Sequence, residues 1–149
     1  MAGITNRGKK RILGASFRND GPAAYYMALC TAATTPTADT NTLGGLTEIT
    51  AGNGYAAGGI SIARNSTGFD VLTEDDTADE AYIQIKDIDF TASGGDLPNG
   101  TGATWVVITD DNATVSSRDV ISFAALTNAK QVSDTQTLTI QNYQMELTE

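Results

Sequence analysis

The chain is built from short segments with a two-residue apolar repeat, and each of them ends at a cluster of turn-forming residues. Ala81, Ile83 and Ile85 alternate with polar neighbours, and Leu138 and Ile140 alternate with threonines. A period of two places every second side chain on the same face of a strand. No segment shows a sustained helical period with a cap at each end. The pattern therefore predicts an all-β fold, a β-sandwich or barrel with jelly-roll or Greek-key connections.

The individual strands can be assigned from the same pattern. They are residues 23–30, 60–63, 69–73, 81–86, 105–109, 113–115, 120–126, 135–140 and 143–147. Residues 113–115 are expected to form a hairpin with the preceding strand, whereas residues 120–126 fit a strand or a single helical turn. The apolar parity shifts by one residue between Ile85 and Ile88, as it would at a β-bulge. Residues 31–42 lack any period and are expected to form a long loop.

Charge is distributed unevenly along the chain. The net charge is −9, yet no acidic residue precedes Asp20, and five of the nine basic residues lie before it. These five are Arg7, Lys9, Lys10, Arg11 and Arg18. From Asp20 onward four basic residues stand against all 18 acidic ones, which gives that part a net charge of −14. We therefore expect residues 1–20 to form an extended basic N-terminal arm and residues 21–149 to form the β-sandwich body.

Such an arm has several possible uses. It can dock on an acidic protein surface, fold back over its own acidic body, or bind nucleic acid by releasing counterions. Nucleic acid is disfavoured because the acidic body would repel phosphate and because basic and aromatic residues are not interleaved. A frayed terminus whose charges only aid solubility is the simplest alternative. We favour docking on a protein, with the five basic residues as the candidate binding residues.

The residue types that most enzymes use for proton transfer and nucleophilic attack are nearly absent. The chain has no histidine and one cysteine, Cys30, in an apolar segment. This excludes Ser-His-Asp and Cys-His sites, histidine zinc sites and an internal disulfide. Gly52 and Gly54 begin a G-x-G-x-x-A match, but it leads to a strand pattern instead of the helix that a dinucleotide site needs. We therefore predict a protein that is not an enzyme and has no catalytic residue, cofactor or bound metal. Tyr55 in this segment either fills an edge of the core or lies in a contact loop.

Acidic residues cluster at residues 74–80, at Asp87 and Asp89, and at Asp110 and Asp111. Oxygen ligands on a flexible loop suit Ca²⁺, but the spacing lacks the twelve-residue EF-hand pattern. No pair of carboxylates is marked out for glycoside hydrolysis. The clusters are therefore interpreted as solvated acidic loops.

Hydropathy gives no sign of a membrane protein. No apolar run approaches the roughly 20 residues that span a bilayer. The N-terminal charges are followed by no apolar stretch of the kind found in a secretory signal. The sequence thus predicts no membrane partner, and either synthesis in the cytosol or delivery from it within a larger particle.

The order of segments along the chain is distinctive. A basic arm precedes a Tyr-Tyr-Met-Ala-Leu strand at residues 25–29 and a Thr/Pro loop. Leu-Thr-Glu-Ile at residues 46–49, Gly-Asn-Gly-Tyr-Ala-Ala-Gly-Gly at residues 52–59 and late strands such as residues 105–110 follow. This order resembles that of small virion proteins of tailed bacteriophages, in particular head decoration (cement) proteins with a β-sandwich body.

The resemblance implies homotrimers on the outer capsid surface of the virion that clamp neighbouring subunits of the major capsid protein and stabilise the shell. From charge alone, Arg7, Lys9, Lys10 and Arg11 would then lie along the capsid lattice while the acidic body faces solvent. One alternative is a phage tail component, such as a fibre, adaptor or baseplate domain that binds a tail protein or a host glycan. Another is a small carbohydrate-active or metal-binding β-domain unrelated to phages.

Overall fold

The computed structural model describes residues 2–148, which contain ten short strands and one α-helix. The strands are β1 (Gly3–Ile4), β2 (Ala24–Cys30), β3 (Ile60–Ala63), β4 (Phe69–Asp75), β5 (Glu80–Ile85), β6 (Ile88–Thr91), β7 (Ala103–Thr109), β8 (Val120–Lys130), β9 (Thr137–Ile140) and β10 (Tyr143–Thr148). The helix, α1, spans Asn6–Phe17, and single 3₁₀ turns lie at Leu43–Gly45 and Val115–Ser117.

These strands pair in antiparallel fashion and form three sheets. The largest sheet has the order β1-β8-β7-β2-β3, the second has the order β10-β5-β4, and β6 pairs with β9. The predicted all-β fold is confirmed, and most of the predicted strands are present. The jelly-roll connectivity stays a prediction.

The main core lies between the five-stranded sheet and the two smaller sheets. Its buried members include Met27, Leu29, Ile62 and Ile108 from the large sheet and Ile85, Phe90, Ile140 and Tyr143 from the smaller ones. Each such side chain contributes about 1.5–3 kcal/mol when it leaves water. Two opposed apolar faces of this kind give the molecule its sandwich-like arrangement.

The large sheet is also covered on its other face. Ala28, Cys30, Val107 and Val120 form a second cluster there with Leu43. The cover comes from Leu43 and Leu46 between β2 and β3 and from Val115 between β7 and β8. Residues 31–42 form the expected long loop that follows β2. The central part of β7 is therefore buried on both faces, which its continuous apolar run predicts.

Two of the predicted local structures are wrong. The parity shift between Ile85 and Ile88 is a passage between sheets instead of a bulge, because β5 pairs with β4 and β10 whereas β6 pairs with β9. Residues 113–115 form no hairpin strand. The Asp110 carboxylate accepts hydrogen bonds from the backbone N–H groups of Asn112 and Asp119, which folds this loop back on itself.

The prediction of an extended N-terminal arm is also wrong, because residues 3–4 form β1 and most of the following residues form α1. β1 pairs with β8 through Gly3↔Phe123 and Ile4↔Ser122. Thr5 then ends the strand and caps the helix, with its hydroxyl oxygen accepting the backbone N–H of Gly8 at 2.8 Å. This bond satisfies one of the backbone donors that a helix start leaves free.

Candidate functional site

The helix α1 lies directly against the backbone of β8. Thr5 is fully buried, and its backbone N–H donates to the carbonyl of Ile121 at 3.0 Å. A Cβ atom at Gly8 would stand 2.1 Å from the carbonyl oxygen of Ile121, so only glycine permits this close approach. The N-terminal turn of α1 is therefore fixed to the large sheet by its backbone.

Two arginines of α1 bind carboxylates of the body. The Arg11 guanidinium contacts Asp119 Oδ2 at 2.8 Å and Asp110 Oδ2 at 3.1 Å, and Arg7 lies 3.6 Å from Asp119 Oδ1. Both aspartates are buried. Desolvation acts to lower the pKa of Arg11, but the hydrogen bond and the charge of Asp119 outweigh it and raise this pKa above its ordinary value. Arg7 and Arg11 thus attach the helix to its own acidic body, which is one of the alternatives that the charge pattern leaves open.

The other three predicted binding residues, Lys9, Lys10 and Arg18, are exposed. Lys10 and Arg18 line a groove of about 670 Å³ beside α1. Leu13 and Phe17 line the same groove and are 58% and 82% exposed. We call Lys10, Leu13, Phe17 and Arg18 the α1 surface.

Leu13 and Phe17 are not among the residues selected from the sequence. They are four positions apart, so a helix places them one above the other on a single face. Without the helix, the spacing of two apolar residues among basic ones carries no signal. The capping residue Thr5 is the sequence feature that could have indicated the helix, and with it the shared face of Leu13 and Phe17.

Tyr55 lies in the core, so the contact loop proposed for it from sequence is wrong. It is 4% exposed, and its hydroxyl donates to Glu48 Oε1 at 2.6 Å and accepts the backbone N–H of Leu29 at 3.0 Å. Burial and the nearby Glu48 carboxylate raise the pKa of Tyr55. The hydroxyl therefore joins the Glu48 segment to β2, and the G-x-G-x-x-A segment leads into β3, which agrees with its interpretation as turns.

The Cys30 thiol and the clustered acidic side chains are the remaining groups with a capacity for chemistry. Burial, with a smaller effect of Glu48, raises the pKa of the Cys30 thiol from 9.0 to about 12, which disfavours the nucleophilic thiolate. Between residues 2 and 148, no three Asp, Glu or Cys side chains converge as they would around a metal ion. Residues 75–79 close the hairpin between β4 and β5, and Asp75 Oδ1 accepts backbone N–H groups within that turn.

The described part of the chain has no helix with the length and apolar character needed to cross a membrane. The candidate recognition site is the α1 surface, where apolar and cationic side chains are presented together on a fixed helix. Neither a protein-family model nor a curated protein matches this chain.

Proposed function

We propose that this protein is a virion structural protein that decorates the outer surface of a tailed-phage head, and that its attachment depends on the α1 surface. The major capsid protein is the proposed partner and a homotrimer the proposed form, both on the strength of the sequence resemblance. The observation that carries the proposal is the α1 surface itself, with two exposed apolar side chains between two exposed cations on a molecule whose net charge is −9.

The composition of this surface supports binding to protein. Large apolar side chains that are exposed side by side are typical of interaction sites, because water contact with them is unfavourable. Lys10 and Arg18 on either side of Leu13 and Phe17 favour a partner that presents carboxylates around an apolar pocket. Such a pattern gives both affinity and orientation.

The fixed position of the helix supports the same role. α1 is capped by Thr5, packed on β8 through Gly8 and ion-paired through Arg11. A surface that is already ordered loses little conformational entropy when it binds. This suits a small protein that must occupy many equivalent positions on a shell.

Two pairs of substitutions test the role of the α1 surface. Phage heads that lack the protein are mixed with the wild type, with Leu13→Ser/Phe17→Ser, or with Lys10→Glu/Arg18→Glu, and the bound fraction is measured by co-sedimentation. We expect both variants to lose binding, the charge-reversed one most strongly at low ionic strength. Lys86→Glu/Lys130→Glu is the matched control, since it reverses two charges elsewhere on the molecule. Equal binding of all four proteins would refute the role of α1.

The location on the particle separates the head from the tail. Antibody labelling of virions should decorate the head in many copies. Labelling that is confined to the tail would replace this proposal by the tail-component alternative.

A further inference from the structure

A second exposed apolar patch lies on the sheet of β10, β5 and β4. Cross-strand pairing aligns Leu72 with Ile83, and Ile83 with Met145, while the next row aligns Ala81 with Leu147. Leu72 is 77% and Leu147 is 51% exposed. These residues line a groove of about 540 Å³ that has Ile12 of α1 on its opposite side.

The end of this patch at the β4–β5 turn is acidic, whereas Arg64, which precedes β4 in the chain, lines the same groove. Glu74 pairs with Ala81 in the same row as Leu147, so its carboxylate lies at the outer end of the apolar face. The adjoining turn adds Asp75, Asp76, Asp79 and Glu80, and residues 69–80 contain no basic residue. We call Leu72, Glu74, Ala81 and Leu147 the hairpin surface. Its chemistry selects a partner with apolar and basic side chains.

Two hairpins of this kind are poorly suited to each other. The outer edge of β4 has no partner strand between residues 2 and 148. Antiparallel pairing of two β4 edges about Leu72 would place Asp70 of one copy opposite Glu74 of the other. Like charges that face each other across strands are destabilising, and edge charges of this kind prevent strand-to-strand association.

The α1 surface has the complementary chemistry. Among the described residues, the exposed large apolar side chains are Leu13, Phe17, Leu72 and Leu147, two on each surface. The first pair is accompanied by Lys10 and Arg18 and the second by Glu74 and the acidic turn. The two surfaces therefore match in apolar character and are opposite in charge.

These two surfaces cannot meet within one molecule. Helix α1 separates the two grooves, with Ile12 and Ser16 on the side of the hairpin and Leu13 and Phe17 on the other. Ion pairs from Arg11 hold the helix in that orientation. The α1 surface that fits a given hairpin surface must come from another copy.

We propose that the α1 surface of one copy binds the hairpin surface of a second copy. The inference rests on the proposed function in one respect, because it names the protein surface that α1 meets within the decoration layer. Contact between two different surfaces links copies head to tail, and such a chain closes into a ring when the rotation permits. In a closed ring every α1 surface is covered by a neighbouring copy, so attachment to the shell would depend on α1 through assembly of the ring.

Complementation between two variants tests this contact. Leu13→Ser/Phe17→Ser removes the α1 surface, and Leu72→Ser/Leu147→Ser removes the hairpin surface. Molar mass is measured by light scattering and sedimentation over a range of concentrations. We expect the wild type to be oligomeric and each variant to be monomeric, with self-association weakened about 100-fold or more. An equimolar mixture of the two variants should form a one-to-one heterodimer, because each retains the surface that the other lacks.

A charge exchange provides a second, independent measurement. Lys10→Glu/Arg18→Glu should not self-associate but should associate with Glu74→Lys/Asp76→Lys, and Lys86→Glu/Lys130→Glu should behave as the wild type. Circular dichroism and thermal melting check that each variant is folded. A wild type that is monomeric at every concentration, an oligomer that survives both serine variants, or a mixture of them that stays monomeric would each overturn the inference.

Head binding, measured on the same variants, separates this inference from the proposed function. A monomeric wild type that binds heads through α1 would leave the function standing and refute self-association. Self-association without head binding would support the contact between copies and refute the proposed function. Loss of head binding on changing the hairpin of a monomeric protein would assign the hairpin surface to the capsid and overturn the inference.

Discussion

Arg11 is the residue that connects the N-terminal helix with the buried carboxylates of the body. Its guanidinium contacts Asp119 at 2.8 Å and Asp110 at 3.1 Å, and both aspartates are nearly inaccessible to water. Arg11→Ala leaves these charges without their nearest cation. Because Arg11 is itself partly exposed, we expect a loss of about 2–4 kcal/mol in the free energy of unfolding, measured by urea denaturation.

Arg18→Ala is the matched control for this prediction, because it removes an exposed arginine from the end of the same helix. We expect it to change stability by no more than about 0.5 kcal/mol. Arg11→Lys should be intermediate, since it keeps the charge but loses the planar pair of donors. A wild-type midpoint for Arg11→Ala would show that the ion pairs contribute nothing to stability.

Cys30 gives the molecule a defined response to alkaline pH. Its thiol pKa is raised from 9.0 to about 12 by burial and by Glu48. Between these two values the unfolded chain loses the thiol proton while the folded chain keeps it, so stability falls as pH rises through this window. From pH 9 to pH 10.5 this group should account for about 1.5 kcal/mol. Cys30→Ala should show a correspondingly smaller decline in denaturation experiments, and parallel declines would contradict the shift.

At the scale of the element, the strands were predictable and the helix was not. Alternating residues such as Ile83 and Ile85 predict a strand, because one face of the strand is buried and the other is in contact with water. α1 gains its stability from a cap, two arginine contacts and a close approach at Gly8, none of which produces an apolar period. The exposed positions of Leu13 and Phe17, which dominate the candidate site, follow only once that helix is known.

The two glycines within α1 are expected to respond to alanine in opposite directions. At Gly8 the added Cβ would meet the Ile121 carbonyl oxygen at 2.1 Å, so the helix must lift from β8. At Gly14 the nearest atom is 3.8 Å away, which is ordinary contact with Asp20. We expect Gly8→Ala to cost about 1–3 kcal/mol by overpacking and Gly14→Ala to stabilise by up to about 1 kcal/mol through helix propensity. Chemical denaturation of both variants provides the measurement, and the same sign for both would disprove this packing.

At the scale of the whole molecule, the uneven distribution of charge was evident from the sequence, but the groups that the basic residues contact were not. A basic segment and an acidic body can attract each other within one chain or between chains. The sequence alone does not show that Arg11 and Asp119 lie close together in space. Arg7 and Arg11 contact carboxylates of the same chain, whereas Lys9, Lys10 and Arg18 are exposed and form no ion pair within residues 2–148. The N-terminal segment is therefore attached to the body by ion pairs as well as by the peptide chain.

Removing residues 1–19 should consequently damage the body instead of leaving it intact. The deletion takes away β1 and α1 and leaves Asp110 and Asp119 without Arg11, for which we expect a loss of about 3–5 kcal/mol in the free energy of unfolding. Attachment is better tested by point substitutions for that reason.

The origin of that loss can be isolated by neutralising the two carboxylates. Asp110→Asn/Asp119→Asn should recover part of the stability of the truncated chain, because an amide oxygen can still accept the backbone N–H groups that Asp110 binds while the buried charge is gone. In the full-length chain the same pair should be destabilising, since Arg11 then loses its partners. Thermal melting of the four proteins gives both effects, and a double substitution that acts with the same sign in both backgrounds would show that burial of these charges is not what joins the helix to the sandwich.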